Sequence, residues 1–347
     1  MHATWFRLRL LFAQPRLAEG ERWFVALLAI GTLALLTVPA WASSYVVLAT
    51  RDALIFAIFA LSFDLLWGKA ATLSLGHATF FGIGAYGLGI VTTKLGWTPL
   101  AGMAVGVGCA AALALAIGSF LIFAGVRLHF LAIMTIAVLL IISQIAVSWS
   151  SLTGGDVGIL GIPGLAFDQF GRRVDLTGET ASYVACLAAL VVVLVVLWLA
   201  CRGNYGKLLA AIGMNELRAK TFGYATALHL LIVFVVAAII AAFSGALYAA
   251  CAGVVGPDLF SPILSLEVVL WVAIGGRGSL LGPVVACVVL TRAQQVVSSY
   301  STTIWPLLMG TLFLALVLFL PDGLRQVGHR LLALRGLRWM RARRAAS

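Results

Sequence analysis

The chain has 347 residues, of which 63% are hydrophobic and 10% charged, with a net charge of +11. That much apolar surface exceeds what a soluble fold of this length can cover, so the composition specifies an all-α polytopic membrane protein. Its positive charge gathers at the two ends and in one internal loop, which argues against a nucleic-acid partner and fits membrane orientation.

Residues 1–22 carry Arg7, Arg9, Arg16 and Arg22 and precede an apolar run over 23–42, the pattern of a basic cytoplasmic arm and a first span. Ala40-Trp41-Ala42 before Ser43 imitates a signal-peptidase site, but the run is nearer the about 20 residues of a span than the roughly 7 to 15 of a signal peptide. A second span covers 45–67. Its Arg51 and Asp52 are expected near the outer end, within snorkelling reach of water, and Asp64 near the opposite boundary, as a cap, an ion pair or part of a polar path.

The next stretch, WGKAATLSLGHATFFGIGAYGLG (67–89), interrupts an apolar background with Ser74, Gly76, His77 and Thr79. Irregular backbone at membrane depth is tolerated only where protein or a water-filled cavity supplies hydrogen-bond partners, so it reads as a broken or re-entrant helix facing the interior. His77 is there either a buried neutral histidine bonded to a neighbouring helix, a contact for a transported solute or a gating residue. Gly102 and Gly106, and the run Gly82, Gly84, Gly87 and Gly89, have the spacing of closely packed membrane helices.

Spans follow at 100–124 and 128–149, joined by a tight cytoplasmic turn at Gly125-Val126-Arg127; the second carries Thr135, Ser143 and Gln144. Residues 150–181 are polar with an acidic excess and suit the outer face. Their glycine-rich part, SLTGGDVGILGIPG, has no lysine and is not a P-loop. After the uniformly apolar 183–200 comes a polar island, 202–223, made basic by Arg202, Lys207, Arg218 and Lys220 and therefore cytoplasmic. Leu208, Ile212, Ala219 and Phe222 recur at roughly helical spacing, a narrow apolar stripe that needs lipid or a second protein to pack against.

Further spans are expected at 228–252, 263–274, 280–297 and 304–320, with an outer turn at 256–262. The segment 263–274 carries Glu267 and is short. If the 202–223 loop and the arginine-rich tail are both inside, an even number of crossings separates them, so the Glu267 segment must cross, giving about ten spanning or half-spanning segments. The whole divides into a basic arm (1–22), one transmembrane domain (23–324) and a basic tail (325–347).

No nucleophile, base and orienting group stand at a recognisable spacing, and no metal-ligand cluster appears. The five cysteines lie scattered in or beside apolar segments and read as small apolar fillers. Polar residues along interrupted spans, Ser74, His77, Thr79, Tyr86, Thr135 and Glu267, are the candidate translocation path of a transporter. An ion-coupled carrier would use a midplane carboxylate such as Glu267 or Asp64. An ATP-driven permease would need a separate ATPase, since the chain has no Walker lysine, and the 202–223 loop supplies a helix to hold one.

Four blocks carry a resemblance to a family: LLWGKAATLSLGHATFFGIGAYG, SLTGGDVGILGIP, YGKLLAAIGMNELRAKTFG with FSGALYA, and LSLEVVLWVAIGGRGSLLGPV, closed by LPDGL. In this order they resemble the M-type (LivM-like) permease subunits of branched-chain amino acid ABC importers, over residues 53–324. The resemblance implies a multi-pass inner-membrane permease with cytoplasmic termini. It implies as partners a second, H-type permease, two cytoplasmic ATPase subunits that bind the ATP, and a periplasmic binding protein, with no cofactor in this chain. It also implies that the loop carrying Glu216, Arg218, Ala219 and Gly223 is the short coupling helix that docks on the ATPase. Arg127, and Lys69 with Ala70, depart from the pattern, and LLWGKAATLSLGH is also similar to the urea-importing branch. A branched-chain or other hydrophobic amino acid is therefore the first substrate, urea or a short amide the second.

Overall fold

The computed structural model describes residues 19–123, 128–169, 172–175, 177–300 and 304–319. The turn expected at Arg127, the LPDGL block, the basic tail and most of the basic arm lie outside these residues. Among the described residues, 7 helices are long and apolar enough to cross a bilayer, and three more are apolar but shorter.

Apart from two four-residue helices, Val38–Trp41 and Ser150–Thr153, the α-helices in chain order are α1 (Glu19–Leu36), α2 (Ser44–Phe63), α3 (Ala78–Thr93), α4 (Pro99–Phe123), α5 (Leu128–Ser148), α6 (Glu179–Arg202), α7 (Asn204–Met214), α8 (Glu216–Thr221), α9 (Thr226–Ala252), α10 (Pro262–Gly275), α11 (Leu281–Tyr300) and α12 (Ile304–Phe319). All but α7 and α8 are predominantly apolar, for the reason composition dictates: in hydrocarbon the backbone must satisfy its own hydrogen bonds.

The centre of the bundle is α2 and α9, buried along most of their lengths, with α3 threaded between α4 and α9. Small residues make that threading possible. A Cβ on Gly84 would strike the Ala242 carbonyl of α9, and one on Gly87 would strike Gly106 of α4. The two glycine patterns visible in the sequence thus meet each other across one helix–helix contact.

At one end of the bundle two-residue strands pair antiparallel, Ile159 with Val255 and Leu160 with Val254, and tie the loop after α5 to the end of α9. A second hairpin pairs Ala166–Gln169 with Arg172–Asp175. Beside the ladder, the turn Pro257–Phe260 sets the Phe260 ring 5.3 Å from Tyr86 of α3 and covers that end of the helix. At the opposite end, α7 packs on the residues that follow α2.

The Glu267 segment, α10, starts beside the Pro257–Phe260 turn and ends in a loop bonded to Lys69 at the opposite end. It runs from one end of the bundle to the other. At 14 residues it rises only about 21 Å, less than the about 30 Å of a hydrocarbon core, and it is one of the three apolar helices shorter than the seven candidate spans. α1 is peripheral and antiparallel to α6: Phe24 stacks on Trp198 at 5.4 Å, and the Tyr183 hydroxyl donates to the Leu35 carbonyl at 2.8 Å.

One expectation is corrected here. Arg51 does not snorkel to water; only 8% exposed, it pairs with adjacent Asp52 at 2.9 Å inside the bundle. An unpaired guanidinium at that depth would be too costly, and the neighbouring carboxylate offsets it.

Candidate functional site

The break expected between α2 and α3 is real and begins as a change of helical pitch. α2 runs on into a π-helical turn, Asp64–Lys69, after which Ala71 takes a left-handed conformation (φ 54°) and the chain is irregular to Ser74. Gly76 and His77 then turn into α3. Wide π turns inside helices are rare and concentrate at functional positions.

The backbone amides freed by the break are met by side chains from other helices. The Thr135 hydroxyl of α5 accepts from Gly76 N (3.3 Å), and the Ser265 hydroxyl of α10 accepts from Ala78 N (3.2 Å). His77 is fully buried between Phe59, Phe63 and Phe80. The Ser62 hydroxyl donates to the Phe59 carbonyl (2.6 Å), so His77 Nε2 carries the proton and donates to Ser62 Oγ at 2.8 Å. That assignment leaves Nδ1 as an acceptor facing no donor among the described residues.

His77 Nδ1 is one of a group. Ser74 Oγ, Thr79 Oγ1, Tyr86 OH and Trp271 Nε1 are also buried without a hydrogen-bond partner among the described residues. Thr79 and Thr135 share a cavity of about 10 Å³ with Gly76, Phe80, Ile117, Val138 and Phe234, room for about one water. The structure therefore brings Thr79 and Thr135 together at one cavity, while Ser74 and His77 lie in the same break without lining that cavity. Tyr86 lies further along α3, under Phe260.

Glu267 does not join them. Its carboxylate accepts from Gln294 Nε2 of α11 and Trp305 Nε1 of α12, each at 3.4 Å. It is the one charged group on an otherwise apolar pocket of about 250 Å³ between α10 and α12. Ser265, two residues earlier, points instead at the break, so α10 presents different faces to the two places.

The second place of interest is the polar island. It forms two helices, α7 and α8, divided at Asn215, whose backbone is extended (φ −160°, ψ 99°) and whose side chain caps α8 by accepting from Arg218 N at 3.0 Å. The expected single stripe is corrected accordingly. Leu208, Ile212 and Ala219 are buried in the chain's own core, and the groups that face away are Met214 (87% exposed), Leu217 (73%) and Phe222 (81%). Glu216 accepts from the Thr226 hydroxyl at the start of α9 (3.1 Å), Arg218 is exposed, and Gly223 ends the hairpin at φ 83°.

Three contributors escape a reading of the sequence: Ser62, Ser265 and Trp271. Each is a single polar group in an apolar helix, with no local pattern to mark it. Cys186 and Cys251, read as fillers, approach to 3.7 Å between sulfurs across α6 and α9, as free thiols. Among the described residues no three His, Cys, Asp or Glu side chains gather as a metal site.

Comparison with known proteins agrees over most of the length. The family model described as branched-chain amino acid transport system / permease component matches residues 45–320. The high-affinity branched-chain amino acid transport system permease protein LivM of Escherichia coli K12 is 27% identical over 297 residues, covering 78% of this chain and 68% of the relative. The protein of the same name from Salmonella typhimurium LT2 is 28% identical over the same span and coverage. No solved structure matches significantly.

Proposed function

The chain belongs to the family of branched-chain amino acid transport system permease components, and from that premise we propose that it is the membrane subunit of an ATP-driven importer whose α7–α8 hairpin is the contact for a separate ATPase. The observation that carries this is the exposed trio Met214, Leu217 and Phe222 on a basic hairpin. Isolated exposed apolar residues are ordinary, but three large ones on one short hairpin fit a groove on a second protein. Its basic charge supports a cytoplasmic position, on the side where ATP is. Glu216 and Ala219 anchor it to α9 and to the core, while Arg218 and the apolar trio face the partner.

The solute is a hydrophobic amino acid, as the names of the relatives support, and its path passes the break at Ser74, His77, Thr79 and Thr135 with Tyr86 beyond. Buried polar groups without partners are costly, about 1–3 kcal/mol each, and are retained where something passes that can satisfy them. One observation favours urea or a short amide as a second reading: the groups at the break are neutral donors and acceptors, with no charge pair to meet a zwitterion. A second permease, two ATPases and a periplasmic binding protein complete the importer. The inner membrane, with both termini in the cytoplasm, is its location.

Affinity purification of the chain from its native membranes tests this. The reading requires an ATPase and a second permease to accompany it. A chain that purifies alone and hydrolyses no ATP with any partner would overturn the reading.

A further inference from the structure

Beside α7 lies a contact that the reading above does not use. Asp64, in the π turn, is fully buried, and its two oxygens accept from Gly278 N (2.5 Å) and Leu280 N (3.3 Å) in the loop between α10 and α11. Lys69, at the other end of the same turn, donates to the Gly278 carbonyl at 2.5 Å. The peptide groups on either side of Gly278 are thus held at the N–H by a carboxylate and at the C=O by an ammonium. Charge-assisted bonds of this kind are roughly twice as strong as neutral ones.

Three further features converge on the contact. The Arg277 guanidinium lies 4.1 Å over the Trp67 ring. A Cβ on Gly68 would collide with Gly278 N and with Asp64 Oδ1, so the two strands of chain touch backbone to backbone. Among the described residues, the non-glycine positions with left-handed backbone are Ala71 (φ 54°) and Leu280 (φ 57°), one on each side of the contact. Such conformations cost of order 1–3 kcal/mol and persist where surrounding structure holds them.

The contact also has an input and an output. Gly213 of α7 packs on the Lys69 carbonyl and on Ala70 and Ala71. From Ala71 the chain enters the break that leads to His77, and Gly278 follows directly on α10, whose Ser265 bonds the first amide of α3.

We propose that Asp64 and Lys69 are positioning residues, a clamp that makes the end of α2, the break before α3 and the α10–α11 loop move as one body when α7 is displaced. The clamp rests on the reading of α7–α8 as the ATPase contact. Without it, displacement of α7 would be absorbed at Ala71 and Leu280 and would not reach the break.

The test uses the complete importer, purified with its partners and reconstituted in proteoliposomes, with uptake and ATP hydrolysis measured on the same sample. Asp64→Asn is expected to retain assembly and hydrolysis within about two-fold of the parent while uptake per ATP falls at least ten-fold; Lys69→Gln is expected to lower the same ratio about three-fold. A merely structural role would lower complex yield, hydrolysis and uptake together and leave the ratio unchanged, which would overturn the clamp. If Asp64→Asn does not assemble, an unchanged ratio in Lys69→Gln overturns it equally. Should the parent chain bring no ATPase at all, the functional reading has failed rather than the clamp, so the two failures are distinct.

Discussion

The break before α3 and the α7–α8 hairpin are opposite kinds of exception in one apolar chain. At the break, polar groups are buried without partners: Ser74 Oγ, His77 Nδ1 and Thr79 Oγ1. On the hairpin, apolar groups are exposed without partners: Met214, Leu217 and Phe222. Each region is unfavourable in the isolated chain, and the sign of the imbalance indicates the missing partner. A buried donor or acceptor calls for a hydrogen-bonding solute or water, whereas a solvated apolar cluster calls for another protein surface. On the proposed reading, they separate the place where a solute passes from the place where force is applied.

The largest effect that can break this contrast is on the hairpin. Burying a leucine or phenylalanine contributes about 1.5–3 kcal/mol each, so Leu217→Asp with Phe222→Asp should weaken the ATPase complex by about a hundred-fold or more. Membrane abundance should stay at the parental level, as read by co-purification beside total protein. At the break, His77→Phe keeps the stacking on Phe59 but removes both ring nitrogens. Uptake by the assembled importer should fall about ten-fold, the size of one lost hydrogen bond to a solute at the strong end of the range.

A sharper version uses Thr79→Val, which removes a buried hydroxyl that has no partner. The chain should become more stable in thermal unfolding by about 1 kcal/mol while uptake drops several-fold. A variant that is stabilised yet slower is the signature of a group kept for the solute, and unchanged uptake would count against a place in the path. The smallest effect is expected for Glu216→Ala, which breaks one bond to Thr226 but leaves the apolar trio in place. It should cost about 1 kcal/mol, seen as a roughly five-fold weaker ATPase complex in titration.

Much of this was legible in the chain because membrane constraints are severe. Apolar run lengths and the interrupted 67–89 stretch follow from the need to satisfy backbone groups in lipid. What was not legible depended on register or distance. The stripe Leu208, Ile212, Ala219 and Phe222 assumed one continuous helix; the extended backbone at Asn215 resets the phase, so the first three face inward and Phe222 outward. The cap signal at Asn215 was present in the sequence, but an apolar periodicity masked it. Asp64 was readable as a cap of some kind, yet its partners lie 214 and 216 positions further on. No local pattern carries that pairing. Glu267 illustrates the remaining gap: a carboxylate in an apolar segment marks a polar environment without saying which side of the helix provides it. Here that side is Gln294 and Trp305, and the break is met by Ser265 instead.

The most direct test of the central claim is ATP-driven uptake by the affinity-purified assembly in proteoliposomes, parent against the Leu217→Asp/Phe222→Asp variant. The parent should carry a bound ATPase and accumulate solute only with ATP, and the variant should lose both. A chain that purifies without an ATPase and accumulates solute under a proton or sodium gradient alone would contradict the account.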